Sequence, residues 1–131
     1  MILTGYGIFS NTATTNSKMS CFLYIEQGLF TRSFMRLVEY NSHVVKDSAI
    51  GNLSIKDKNG DIHYFIVENS SNGYLYVINN EDFLDIIKQE GEISCYLSIG
   101  KYTTSTYSWK FKLDGFHNAF KHVFSNNDEV N

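Results

Sequence analysis

The chain has no proline in 131 residues. Its turns must therefore be built from Gly, Asn, Asp and Ser. Long hydrophobic runs are also missing. Even a run as long as any, Cys21 to Ile25, is far short of the roughly 20 residues a membrane-spanning helix needs, so no membrane span is expected. Charge of one sign is scarce: 14 acidic and 11 basic residues give a net charge of −3. That balance does not support bulk electrostatic binding, and no nucleic-acid partner is expected. The first ten residues, MILTGYGIFS, lack the charged start and apolar core of an export signal. Two readings stay open, a cytoplasmic protein or a periplasmic or secreted one whose signal has been removed.

Cysteine is nearly absent. Cys21 and Cys95 are the only two, both in strand-like runs and neither in a C-x-x-C pair. They read either as two buried free thiols or as one disulfide closing a loop of about 75 residues, which would imply an oxidising compartment.

Catalytic signatures are missing too. No G-x-S-x-G elbow occurs, and Gly5-x-Gly7 lacks the third glycine of a phosphate loop. His117 and His122 are five apart, so on a helix they diverge by about 140° and cannot share a metal. His43 and His63 lie in separate segments. Asp57 to Asp61 lacks the frame and the closing Glu of a calcium loop. Glu81, Asp82 and Asp85 read as helix-start acids. No catalytic residue, metal or cofactor is assigned.

What is present is a β-forming chain. The apolar fraction is 43% and the aromatic fraction 15%, with nine Tyr and ten Phe, which suits one packed domain over 1–131 and favours strands. Strands are expected near 5–10 and 19–26, the latter ended by Gln27-Gly28. Residues 34–40 are better read as strand than helix. Asn59-Gly60 marks a hairpin between 50–57 and 61–67, with a type I′ turn needing positive φ at both central residues. On the return strand both parities are apolar, so both faces are expected to be covered. Asn69 to Gly73 is a second turn, 74–78 another strand, and 93–99 a further one, turned at 100–103.

Asn80 to Glu90 reads as a helix capped by Asn79 or Asn80, with Phe83, Leu84, Ile86 and Ile87 as its apolar stripe. The closing stretch is the most distinctive. Tyr107, Trp109, Phe111 and Leu113 alternate with Ser108, Lys110 and Lys112. Asp114 is then placed as the cap, Gly115 as the hinge, and Phe116, Ala119, Phe120, Val123 and Phe124 repeat at helical spacing. Residues 125–131 are polar and expected to fray.

The expected architecture is an antiparallel β-sandwich of about eight strands, with one helix at about 80–90 and another at about 115–124. Trp109, Asp114, Gly115, Phe116 and Phe120 are structural in this reading. Segment 81–92 carries five acids and one Lys, whereas 101–121 carries four Lys and one Asp. That polarity makes a protein the expected partner. Lys110 and Lys112, with Tyr24 and Tyr96 and to a lesser degree Tyr76 on the faces opposite their strands' aliphatic residues, are the candidate contacts.

The order of elements is similar to that of the invasion-associated locus B family and of accessory proteins of bacterial type VI secretion. The residues that carry the likeness are Lys18-Met19-Ser20-Cys21, the Asn59-Gly60 hairpin, the helix with Phe83-Leu84, and Leu113-Asp114-Gly115-Phe116 followed by Ala119-Phe120. The early Trp and the export signal of those proteins have no counterpart. The resemblance implies a sandwich closed by its last helix, no catalytic residues, and a binding or accessory role in the bacterial envelope. A cytoplasmic inhibitor encoded by a phage or mobile element is the alternative.

Overall fold

The computed structural model describes residues 1–27, 31–46, 49–70, 72–100 and 103–129, with backbone only for His117 and 124–129. Gly28, Ser71, Lys101, Tyr102, the Phe124 side chain and the end of the tail expected to fray therefore lie outside the described residues. In chain order the elements are β1 (Ile2–Ser10), β2 (Ser17–Gln27), β3 (Thr31–Glu39), β4 (Ser42–His43), β5 (Ile50–Lys56), β6 (Ile62–Asn69), β7 (Leu75–Val77), α1 (Asn80–Ile87), β8 (Glu92–Ile99), β9 (Ser105–Lys112) and α2 (Phe116–Glu129).

The fold is a closed barrel, and the sandwich expected from the alternation is wrong. The strands run in the order β2-β1-β9-β8-β5-β6-β7-β3, and β2 pairs back onto β3, so eight antiparallel strands close with β4 outside. A sandwich and a barrel bury the same period-two face, so alternation cannot separate them. Pairing decides: β2 is bonded to β1 from Ile2↔Tyr24 to Phe9↔Ser17 on one side, and to β3 from Ser20↔Val38 to Gln27↔Thr31 on the other.

Inward residues fill the interior. Leu23, Ile25, Met35, Leu37, Leu53, Ile55, Ile93, Trp109 and Phe111 are all buried, as an eight-stranded barrel of this width requires. The tightest approach is between β1 and β9. Gly7 faces Trp109 across the ladder. A Cβ on Gly7 would overlap the Ser108 carbonyl oxygen and come within 2.6 Å of Trp109 Cα. Glycine is thus what lets β1 lie against the strand that carries the largest core side chain.

Both helices lie at one end of the strands. α1 buries Phe83, Leu84, Ile86 and Ile87. Neither expected cap residue makes a capping bond. Asn79 holds the N-cap position without a side-chain hydrogen bond. Asn80 instead ties α1 to β3: its Oδ1 accepts from Ser33 N (2.8 Å) and from the Ser33 hydroxyl, and its Nδ2 donates to Thr31 O (2.7 Å). α2 starts as expected and runs on to Glu129. Its first helical bond, Ala119 N to Gly115 O (3.1 Å), puts Gly115 rather than Asp114 at the cap. Gly115 takes φ 77°, which frees the chain to turn sharply after Leu113. Phe116 is buried against Phe120, and Lys88, the C-cap residue of α1, lies 4.4 Å above the Phe120 ring.

The turn at Asn59-Gly60 differs from the expected type I′. At Lys58-Asn59-Gly60 only Gly60 has positive φ. The loop has three residues, closed by Asp57 N to Asp61 O and Gly60 N to Asp57 O. That is the type I turn with a glycine bulge. The two-residue turn with both central residues at positive φ occurs instead at Tyr40 (φ 50°) and Asn41 (φ 65°), between β3 and β4.

Candidate functional site

A broad, mainly apolar surface is built by strand register. On the outside of the barrel, Tyr6, Lys110, Ser94, Lys56 and Ile62 stand in one row across β1, β9, β8, β5 and β6. Ile8, Ser108, Tyr96, Ser54 and Tyr64 form the next row. Large apolar residues stand at both ends of each row; between them lie Lys110, Ser94 and Lys56 in the first and Ser108, Tyr96 and Ser54 in the second. The result is a hollow of about 480 Å³ floored by Ser54, Ser94 and Ser108. Five adjacent strands make it about 19 Å wide.

The apolar groups of the two rows meet water. Tyr6 is 71% exposed, Ile62 55%, Tyr64 75% and Tyr96 47%. This corrects the expectation that both faces of residues 62–67 are covered. Phe65 and Val67 face the core, but Ile62, Tyr64 and Ile66 do not. Beyond the Tyr6–Ile8 ridge a second hollow of about 560 Å³ is lined by Lys18, Ser20, Val38 and the exposed Tyr40. A contiguous apolar surface with a polar rim is the form a docking site takes.

The sequence candidates separate on this surface. Tyr96 and Lys110 both line the trough. Lys110 also reaches Glu92 at 3.6 Å. Lys112 is exposed one outward position further along β9, outside the hollow. Tyr24 is on the other side of the barrel. It stacks on Phe34 (5.1 Å between ring centroids), and both pack edge-on to Tyr74, while Tyr76 lies 5.6 Å from Phe34. Arg32 and Arg36 cover Phe34 and Tyr74. Tyr24 is thus half-buried and engaged in ring contacts within this cluster. The trough residues Tyr6, Ile8, Ser54, Lys56 and Ile62 went unrecognised in the sequence, because only pairing across five strands brings them together.

Two titratable sites lie apart from the trough floor. Asp57, almost wholly buried at the β5–β6 hairpin, accepts from His63 Nε2 (2.8 Å), Asn59 N (2.9 Å) and Asp61 N (3.0 Å). The His63 bond first, and the two backbone bonds after it, hold its carboxyl below the usual range against the opposing effect of burial. These bonds define the turn. On the far wall His43 lies 3.3 Å from Arg36 Nη2. Burial, then the charges of Lys46 and Arg36, lower its pKa, which suits a neutral ring accepting from the guanidinium.

Cys21 and Cys95 are free and buried. Burial raises both thiols far above their ordinary value, with Cys95 adding to the effect on Cys21, so neither is a thiolate at neutral pH. Among the described residues no group of three or more His, Cys, Asp or Glu could hold a metal ion. No described helix is long and apolar enough to cross a membrane. Neither a protein-family model nor a curated protein nor a solved structure matches the chain.

Proposed function

We propose that this protein works by binding another protein, which docks on the outer wall formed by β1, β9, β8, β5 and β6. The observation that carries the reading is the trough: a serine floor between exposed Tyr and Ile side chains, on a wall that neither helix covers. Tyrosine suits such a surface because it offers a large contact area and a polar tip at small cost in side-chain order. An accessory role in the bacterial envelope or in secretion, as the resemblance implies, extends the same reading. Tyr96 and Lys110 are its contacts.

A photo-crosslinking amino acid at position 96, expressed in the organism that encodes the protein, tests it. A discrete crosslinked species at position 96, with none from position 26 on the opposite wall, is expected. No crosslink at 96, together with turnover of a hydrolase substrate panel, would sink the proposal.

A second reading, a cytoplasmic inhibitor encoded by a phage or mobile element, is favoured by the two free buried thiols, since unpaired cysteine is the rule in reducing compartments. It uses the same wall. Mass spectrometry of native protein under non-reducing, denaturing conditions separates the two: a Cys21–Cys95 bridge in native material argues for export, two free thiols for the cytoplasm.

A further inference from the structure

The charged side chains of the trough carry one sign. Lys110 and Lys56 stand in the same row on either side of Ser94. Lys18 faces Ile8 from β2 at the outer flank. On the outward faces of β1, β9, β8, β5 and β6 the acids are Glu68, opposite Ile50 and two outward positions beyond Tyr64, and Glu92. Glu92 pairs with Lys110 at 3.6 Å, but both partners are about half exposed. A pair so open to solvent is weak and readily exchanged for a better placed carboxylate.

The acids of α1 do not provide the occupant. Glu81, Asp82 and Asp85 are exposed on α1, but the apolar residues of that helix are all turned into the core. A second copy could offer the trough charge from α1 without apolar side chains to fill it.

Resting on the docking role proposed above, we infer that the partner presents an acidic, apolar segment. Its Asp or Glu side chains meet Lys56 and Lys110, and its aliphatic or aromatic side chains lie over Tyr96 and the serine floor. Potentials of opposite sign across an interface speed encounter and reject basic competitors.

A random-peptide display library, panned on the wild-type protein with counter-selection on the triple variant Lys56→Glu/Lys110→Glu/Tyr96→Ala, tests this. The enriched peptides are expected to combine Asp or Glu with apolar residues. Each should bind wild type about tenfold or more tighter than Lys56→Glu/Lys110→Glu, with affinity falling as salt rises. Melting curves of the variants keep misfolding from passing as lost binding. Enriched peptides that are neutral or basic, or that bind the charge-reversed variant equally well, overturn the acidic assignment and leave docking on this wall standing. If no peptide distinguishes wild type from the triple variant, both fall. Self-association in sedimentation that the same charge reversals abolish would place a second copy on the wall, and that also overturns the assignment.

Discussion

The β2–β3–β7 side of the barrel and the β1–β9–β8–β5–β6 side both place aromatic residues outward, and they treat them differently. On the first side Tyr24, Phe34, Tyr74 and Tyr76 stack on one another under Arg32 and Arg36. On the second, Tyr6, Tyr64 and Tyr96 stand apart among serines. On the first side the β2–β3 ladder is long, but the β3–β7 seam is short. β3 and β7 share two residue pairs, whereas β8 and β9 share eight. Where backbone pairing is short, side-chain stacking holds the seam. Where pairing is long, the outward Tyr and Ile residues are not needed to hold the strands. They are the residues the fold leaves exposed.

The comparison breaks first at Gly7. A side chain there forces β1 away from Trp109 and opens the well-paired wall, so Gly7→Val is expected to cost about 4 kcal/mol or more in denaturant titration. Near wild-type stability would show that β1 can move freely off β9. Phe34→Ala is expected to cost about 3 kcal/mol, as loss of a buried aromatic from a mutual cluster does. Hydrogen exchange should quicken first along β3 and β7. A loss under about 1 kcal/mol would mean that the short seam is held by something other than stacking.

A smaller, pH-confined effect is expected at the rim hairpin that carries Ile62 and Tyr64. The folded-state pKa of Asp57 lies below its unfolded value. Its contribution is therefore complete above the unfolded carboxylate value, about 3.9, and is lost as pH falls through the folded one. His63→Leu removes the first cause of that depression. Thermal melting should show the variant losing less stability than wild type across that acidic window, from a lower start near neutrality. Equal acid sensitivity would remove the His63–Asp57 bond from the account. Least of all should stability notice Tyr64→Ala or Tyr96→Ala, each within about 0.5 kcal/mol. A loss beyond about 2 kcal/mol for either would mean that this wall, too, depends on its tyrosines.

Much of this molecule is readable as local pattern. The alternation through Tyr107, Trp109, Phe111 and Leu113, the apolar stripe of α1, and the turn at Gly115 are each set by neighbouring residues and stand where the sequence places them. Closure is not local. β2 alternates in the same way whether its second neighbour is β3 in a barrel or solvent at a sandwich edge. The trough is less legible still, since Tyr6 and Ile62 meet across three intervening strands. Apolar residues on both parities of 62–67 say that two faces are hydrophobic, and nothing in them says that one is left uncovered. The hairpin is a milder case. Asn-Gly favours the two-residue turn, but the Asp57 carboxylate holds the amides of Asn59 and Asp61 and fixes a three-residue loop. Tyr24 and Tyr96 share a sequence signature, and they part only because Phe34 and Tyr74 lie beside one of them.

Trp109 is the protein's single tryptophan. It is buried, and its β9 neighbours Ser108 and Lys110 project into the trough on the other side of the wall. The molecule therefore carries one indole fluorophore, a strand's thickness behind its candidate docking surface and shielded from solvent quenchers. Its emission reports on one place. A shift on adding a ligand would register a change in the wall itself without any label, and the same signal followed through denaturation would time the opening of the β1–β9 ladder.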